Sequence, residues 1–256
     1  MRLALLSDIH GNLAALQAVC ADLARHPVDT VINLGDSLSG PLLPLQTAQD
    51  LMQQTNWLHL AGNHERQILL HPERPQSPSD AYAFAQLGAT ELAWLATLKP
   101  SQSWSPEVLL CHGSPRSDIE YLCESISARG LELASQTELQ ERLAGTTAKV
   151  VACGHSHLPR IIRLQSSATS STLIVNPGSV GLPAYDDDYR YQHKVETGAS
   201  DARYAILTCD QQGWHASLHS VAYDFESMAK LAELNQRPDW AYAIRTGYAI
   251  SRANQQ

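Results

Sequence analysis

The reactive side chains of this sequence gather in five short motifs: Asp8-Ile9-His10, Gly35-Asp36, Gly62-Asn63-His64-Glu65, His112-Gly113 and Gly154-His155-Ser156-His157. Carboxylate, amide oxygen and imidazole together suit divalent ions of borderline softness better than a thiolate-type structural zinc site does. They are the donor set of a two-metal hydrolytic centre. Asp8 and His10 stand two apart, as do His155 and His157. In extended chain such pairs leave from one face and can aim at one metal region, whereas a helical pair at that spacing cannot. Gly35 before Asp36 permits a tight turn, and Asn63-His64 sets a neutral carbonyl ligand beside a titratable imidazole.

Each motif closes an apolar run that reads as a buried strand: Leu3–Leu6, Val31–Leu34, Trp57–Leu60, Val108–Cys111 and Val150–Cys153. In open α/β sheets the carboxyl ends of the strands gather on one edge, where ligands bind. Between the first two runs, Leu13, Leu16, Val19 and Leu23 recur at helical spacing behind a capping Asn12, and Pro27 ends that helix. A strand–helix–strand start implies a parallel pair. Residues 41–55 predict a second helix, entered through Pro41 and Pro44. Pro72, Pro75, Ser77, Pro78, Ser79 and Asp80 predict a loop, with a short apolar piece over Ala81–Leu87 and a helical pattern over 89–98. Residues 115–146 read as irregular chain and then a helix ending near Gly145.

From 147 onward short strands follow without long helices between them (Lys149–Cys153, Arg160–Leu164, Thr172–Val175, Arg203–Thr208, Trp214–His219), which predicts antiparallel pairing in a second sheet. The expected class is α/β (α+β): a four-layer α-β-β-α sandwich, two mixed sheets face to face with helices outside. One domain would span 1–256, with 66–100 and 182–202 as insertions and 224–250 as a helical tail broken at Pro238.

A net charge of −8 argues against a broad nucleic-acid footprint, though not against a small phosphorylated substrate, because bound cations dominate a local field. The N-terminal apolar stretch runs straight into Asp8 and reads as a strand, and no apolar run approaches the ~20 residues of a membrane helix. Five scattered cysteines (Cys20, Cys111, Cys123, Cys153, Cys209) suit free thiols in a reducing, cytoplasmic setting.

The ordered set of five motifs resembles the calcineurin-like metallophosphoesterase superfamily over residues 8–157, with Asn176-Pro177-Gly178-Ser179 as a further shared element. The opening Ser7–Asn12 and the run 177–181 are most similar to the small single-domain prokaryotic phosphodiesterases. The resemblance implies two divalent ions, manganese first, with iron, nickel or zinc as alternatives. Asp8, His10 and His157 would hold one ion, Asn63, His112 and His155 the other, and Asp36 would bridge them. His64 would contact the scissile phosphate and protonate the leaving oxygen. Glu65 stands where many members carry Asp, and its part in orienting His64 is open. No Arg follows Asp36 in Ser37-Leu38-Ser39-Gly40-Pro41, which separates the chain from the serine/threonine protein phosphatases.

Two such ions, about 3.5–4 Å apart, would share a hydroxide that attacks phosphorus. Against two aspartates and that hydroxide they leave about one net positive charge, which a phosphodiester monoanion balances. The expected activity is therefore hydrolysis of a small or nucleotide-like phosphodiester. A phosphomonoesterase or dinucleoside polyphosphate hydrolase could use the same site. A non-enzymatic scaffold is the reading from another class, exemplified by the retromer subunit of this fold, which lacks the catalytic His present here as His64. For substrate contacts the candidates are Asn12, which could equally cap its helix; Arg160, three beyond His157; and Tyr185 and His193 in the long polar stretch 182–202, which could lie over the metals as a lip. His26, His59, His71, His215 and His219 fit no motif and read as structural or exposed. The oligomeric state is open.

Overall fold

The computed structural model describes residues 1–71, 73–74, 77–165 and 170–250. Strand β1 (Arg2–Leu6) leads through helix α1 (Leu13–Leu23) to β2 (Thr30–Asn33), and α2 (Pro44–Gln53) leads on to the two-residue β3 (Leu58–His59). Three helices follow: α3 (Asn63–Leu70), α4 (Pro78–Gln86) and α5 (Ala89–Leu95). Next come β4 (Ser101–Ser105), β5 (Val108–Cys111), the hairpin β6 (Glu124–Ser127) and β7 (Gly130–Leu133), and α6 (Gln136–Arg142). Then follow β8 (Val150–Ala152), β9 (Arg160–Gln165), β10 (Ser171–Asn176) and a second hairpin, β11 (Ala184–Asp187) and β12 (His193–Glu196). The long strands β13 (Ala202–Asp210) and β14 (Gly213–Val221) precede α7 (Phe225–Leu234) and α8 (Pro238–Thr246).

Two five-stranded sheets result, in the orders β14-β13-β1-β2-β3 and β4-β5-β8-β10-β9. Both are mixed. In the first, β1, β2 and β3 are parallel and β13 pairs antiparallel with β1. In the second, β5, β8 and β10 are parallel, flanked by antiparallel β4 and β9. Alternation along β1 shows how the layers are filled. Leu3 and Leu5 enter a cluster with Ile32, Leu34, Val108, Leu110, Val150 and Val175, which lies between the sheets. Ala4 and Leu6 face the other way, against Leu16 and Val19 of α1. The outer face of the second sheet is covered by Leu139 of α6 and its C-cap Leu143, with Leu122 and Cys123.

Two expectations are corrected here. The strands after residue 147 do not form an antiparallel sheet of their own: β13 and β14 return to β1, while β8 and β10 extend a parallel set begun by β5. The stretch expected to be a loop ends in the start of a helix. Pro78 opens α4 behind a Ser77 cap whose side chain accepts from the Asp80 amide, so Pro78, Ser79 and Asp80 are a helix start. Pro72 and Pro75 lie outside the described residues. The irregular chain expected within 115–146 contains the β6–β7 hairpin. Residues 182–202 hold the β11–β12 hairpin.

Candidate metal centre

The carboxyl ends of β1, β2, β3, β5 and β8 meet at one edge of the sandwich. Asp8 and His10 do not project from extended chain as their spacing suggested. Asp8, His10, Asp36, His155 and His157 all hold left-handed backbone, with φ between 53° and 66°. Such conformations cost a non-glycine residue about 1–3 kcal/mol each and cluster at functional sites. Here they turn successive side chains inward from tight loops. Those loops are laced together by backbone: the Asp8 amide donates to the Gly35 carbonyl at 3.0 Å and the His10 amide to the Asp36 carbonyl at 3.0 Å. The Asn176–Ser179 element ties the two sheets. Asn176 Nδ2 donates to the Gly154 carbonyl at 2.8 Å, and Ser179 Oγ donates to the Asp8 carbonyl at 2.8 Å.

Two groups of donors result. Asp8, His10 and His157 form one and Asp36, His112 and His155 the other, with the donor atoms in each within 4.8 Å of one another. Three imidazoles are fixed by carbonyl acceptors at Nδ1: His10 by Ser39 at 2.7 Å, His157 by Leu182 at 2.7 Å and His112 by Leu34 at 2.9 Å. That fixes the tautomer with the Nε2 lone pair turned into the site, the usual arrangement for a ligand. The His10 and His157 Nε2 atoms then face each other at 3.2 Å. A proton between them is disfavoured, because burial and the neighbouring His157 hold His10 down at about 3. A cation relieves this opposition of lone pairs.

Two more buried oxygens without a hydrogen-bond partner face the same need: Asp8 Oδ1 and Asn63 Oδ1. His112 Nε2 lies 3.0 Å from Asp36 Oδ2 and 3.9 Å from Asp8 Oδ1. Burial alone would lower the His112 pKa, but the Asp36 and Asp8 carboxylates push it up to about 10. Burial and His112 together depress His155 to about 4. Burial would raise Asp8, yet His157 and His112 draw it down to about 2. The carboxylates thus favour positive charge at His112, while His10 and His155 stay neutral, the state in which an imidazole can ligate a metal. The residues fit a pair of divalent cations, with Asn63 beside the second group.

His64 begins α3 next to Asn63. Its amide donates to Asp36 Oδ1 at 2.9 Å, and its Nδ1 donates to Asp80 Oδ1 at 2.7 Å. Burial disfavours the imidazolium, but Asp36 and Asp80 outweigh it and push His64 up to about 9. Asp80, on α4, is 1% exposed and is held in turn by the Ser77 hydroxyl at 2.6 Å. Glu65 does not bond the His64 ring. Its carboxylate accepts from the amides of Asp36 at 2.8 Å, Ser37 at 2.7 Å and Gly62 at 2.7 Å, and so joins the β2 and β3 loops.

A pocket of about 470 Å³ opens over these residues, lined by His10, Asp36, Asn63, His64, His155 and His157 on its floor. Tyr185 lines it, its hydroxyl 2.6 Å from that of Tyr121 and donating to the His155 carbonyl at 3.1 Å. His193 is buried behind, with Nε2 3.2 Å from the Tyr121 hydroxyl, and Asn12 and Arg160 are likewise turned away from the pocket. Asn12 caps α1, accepting from the Ala15 amide at 3.1 Å and donating to the Gly181 carbonyl at 2.9 Å. Arg160 Nε donates to the buried Glu124 at 3.0 Å. Sequence reasoning missed Tyr121, Asp80 and the wall formed by Arg237, Asp239 and Trp240. The wall's one signal was composition, an aromatic–charge cluster at 237–242.

Comparison with known proteins places this arrangement. The profile described as the calcineurin-like phosphoesterase superfamily domain matches residues 1–211. The uncharacterized protein MJ0912 of Methanocaldococcus jannaschii is 21% identical, the match covering 93% of this chain and 94% of that one. The crystal structure of a metallophosphoesterase from Sphaerobacter thermophilus is similar with a TM-score of 0.73 at 23% identity, covering 95% of this chain and 98% of that one. A candidate diadenosine tetraphosphatase is similar with a TM-score of 0.52 at 15% identity, covering 86% of this chain and 94% of that one.

Proposed function

The chain belongs to the calcineurin-like phosphoesterase superfamily, and from that premise we propose that it is a metal-dependent phosphodiesterase acting on a small or nucleotide-like diester. Asp8, His10 and His157 would hold one divalent ion, Asn63, His112 and His155 the second, with Asp36 between them and manganese the first candidate. Bound there, the ions would supply Lewis acidity, which makes water acidic enough to act as a nucleophile near neutral pH. The observation that carries the reading is the pair of Nε2 atoms, His10 and His157, facing each other at 3.2 Å beside orphaned Asp8 and Asn63 oxygens.

The chain's own contribution to bond cleavage falls on His64. With Nδ1–H given to Asp80, its Nε2 is free to hold a proton and pass it to the departing oxygen. Asp80 fixes the ring plane and favours the charged form. General acid catalysis of this kind contributes typically about 10²–10⁴-fold, and most where the leaving group is a poor one.

Charge around the mouth supports a diester over a polyphosphate. Asp186, Asp187, Asp188 and Asp239 line the pocket, and Arg237, the one arginine or lysine among its described lining residues, is paired with Asp239 at 2.7 Å. An acidic rim repels a long polyanion more strongly than a monoanion. The reading is tested by hydrolysis of a bis-aryl phosphate, an aryl monophosphate, cyclic nucleotides and dinucleoside polyphosphates with added manganese, using Asp36→Ala as the blank. Diester turnover should dominate and vanish in the blank. Monoester turnover with inert diesters would replace this assignment by a phosphomonoesterase. A cytoplasmic setting suits the five free cysteines. No helix among the described residues is long and apolar enough to cross a membrane.

A further inference from the structure

At the end of α1 remote from the metal pair, Asp22, His26 and His219 bring one carboxylate and two imidazoles together, with one donor atom of each within 4.8 Å of the others. None belongs to the five motifs or lines the pocket. Asp22 and His26 are four apart and share one face where the helix runs out, with His26 Nε2 3.8 Å from Asp22 Oδ2. His219 comes from β14, directly across from Tyr204 on β13.

Tyr204 serves both sides of this group. Its ring stacks on His219 at 4.6 Å, and its hydroxyl donates to Asp22 Oδ2 at 2.6 Å. Metal ligands are held in this way by outer hydrogen bonds and packing that fix their orientation. The His26 ring meets His219 edge-on at 5.1 Å. The Ser217 hydroxyl lies 2.9 Å from His219 Nε2. Burial and the neighbouring His26 hold His219 below its ordinary pKa, which favours the neutral ring a metal needs. The hydrogen bonds from Tyr204 and Arg25 keep Asp22 ionised below the usual carboxylate range.

We propose that Asp22, His26 and His219 form a separate site for one transition-metal cation of the Zn²⁺, Ni²⁺ or Cu²⁺ kind. Two imidazoles and a carboxylate leave a fourth position for water and match the borderline ions; calcium or magnesium would call for a shell of oxygens. A tetrahedral site with bonds of about 2.1 Å spaces its donors roughly 3.4 Å apart. The donor atoms, now within 4.8 Å of one another, therefore close by up to about 1.4 Å on binding, within reach of rotation about their side-chain bonds. Arg25 now pairs with Asp22, but its side chain is 74% exposed, so an arriving cation releases it to water. Ten residues of helix, about 15 Å at 1.5 Å per residue, separate Asp22 from the Asn12 cap at the catalytic edge. The ion would clamp α1 to the edge strand β14 and take no part in hydrolysis.

Zinc counting tests this. Protein stripped by chelator, reloaded with zinc and gel-filtered is compared as wild type, His26→Ala and His219→Ala, each also in an Asp36→Ala background. Wild type should carry one zinc per chain more than either variant, and the same difference should persist with Asp36→Ala whatever the catalytic pair retains. His26→Ala and His219→Ala should keep their phosphoesterase turnover. Arg25→Ala should tighten the additional ion about two- to fivefold, since it removes an exposed competing cation, a gain that unfolding cannot imitate. Equal zinc content in wild type and both histidine variants, or an anomalous map with no zinc peak among these three side chains, would overturn the proposal.

Discussion

His64 touches two carboxylates that divide its duties. Asp36 anchors its amide and Asp80 holds its ring, both from outside its own helix. Replacing His64 by Ala should leave metal content intact and lower turnover about 10²–10⁴-fold on a diester with an alkyl leaving group. The loss should be much smaller on a nitrophenolate, which departs without a proton. Asp80→Asn should show the same leaving-group dependence with a smaller loss. Equal losses on both substrates would show that neither residue handles that proton. The side chains of the two donor groups were legible in the sequence because each sits in a short motif behind a strand, with residue type and context agreeing. Asp80 was not, for a physical reason. It reaches His64 from the first turn of another helix, and Pro78, Ser77 and Ser79 around it spell a loop as readily as a capped helix start. Nor could spacing reveal the left-handed backbone at Asp8 and His157, since it results from loops that press on each other.

Those loops are close because glycines let them be. A Cβ added to Gly62 would lie 2.1 Å from Asp36 Oδ1, so Gly62→Ala must displace the residue placed between the two donor groups. The variant should fold, since Gly62 lies just before α3 with ordinary extended backbone, yet bind metal poorly; a metal content equal to wild type would refute the contact. The short strand β3 carries a different sensitivity. Burial depresses His59 to about 4, below the ordinary 6.5 of a histidine, so the folded protein resists its protonation while the unfolded chain accepts it. Between about pH 6.5 and pH 4 the unfolded state therefore binds more protons, and stability falls as the pH drops through that window, by up to about 3 kcal/mol from this residue. Urea midpoints of His59→Gln against wild type at pH 7 and pH 4.5 should converge at the lower pH relative to their difference at pH 7. An unchanged difference would mean that His59 is not held neutral. At this scale the sequence showed β1, α1 and β2 well, and β13 and β14 do pair antiparallel, but it assigned them to the wrong sheet. Periodicity identifies a strand, whereas pairing across two hundred residues is decided by which sheet edge remains open.

Across the molecule the family match ends at residue 211, while the pocket wall continues into the C-terminal helices. Trp240, Ala241 and Ile244 of α8 pack with Leu42 and Leu182, and Arg237 donates to Ser79 of α4 at 2.9 Å. The helix that supplies Asp80 is thus braced by the same segment that narrows the pocket, and substrate choice would draw on Arg237, Asp239 and Trp240 beyond the matched region as well as on the rim of Asp186, Asp187 and Asp188 within it. The catalytic floor is what the two sheets have in common: β1 and β2 contribute from one, β5 and β8 from the other, and Asn176 and Ser179 lock them. The central claim is that this floor grips two cations at once. Crystals soaked in manganese and measured near its absorption edge address it directly. The account predicts two anomalous peaks per chain in the pocket, one bounded by Asp8, His10 and His157 and the other by Asn63, His112 and His155, with Asp36 touching both. A pocket with no peak at saturating manganese, with those side chains as placed here, would contradict it.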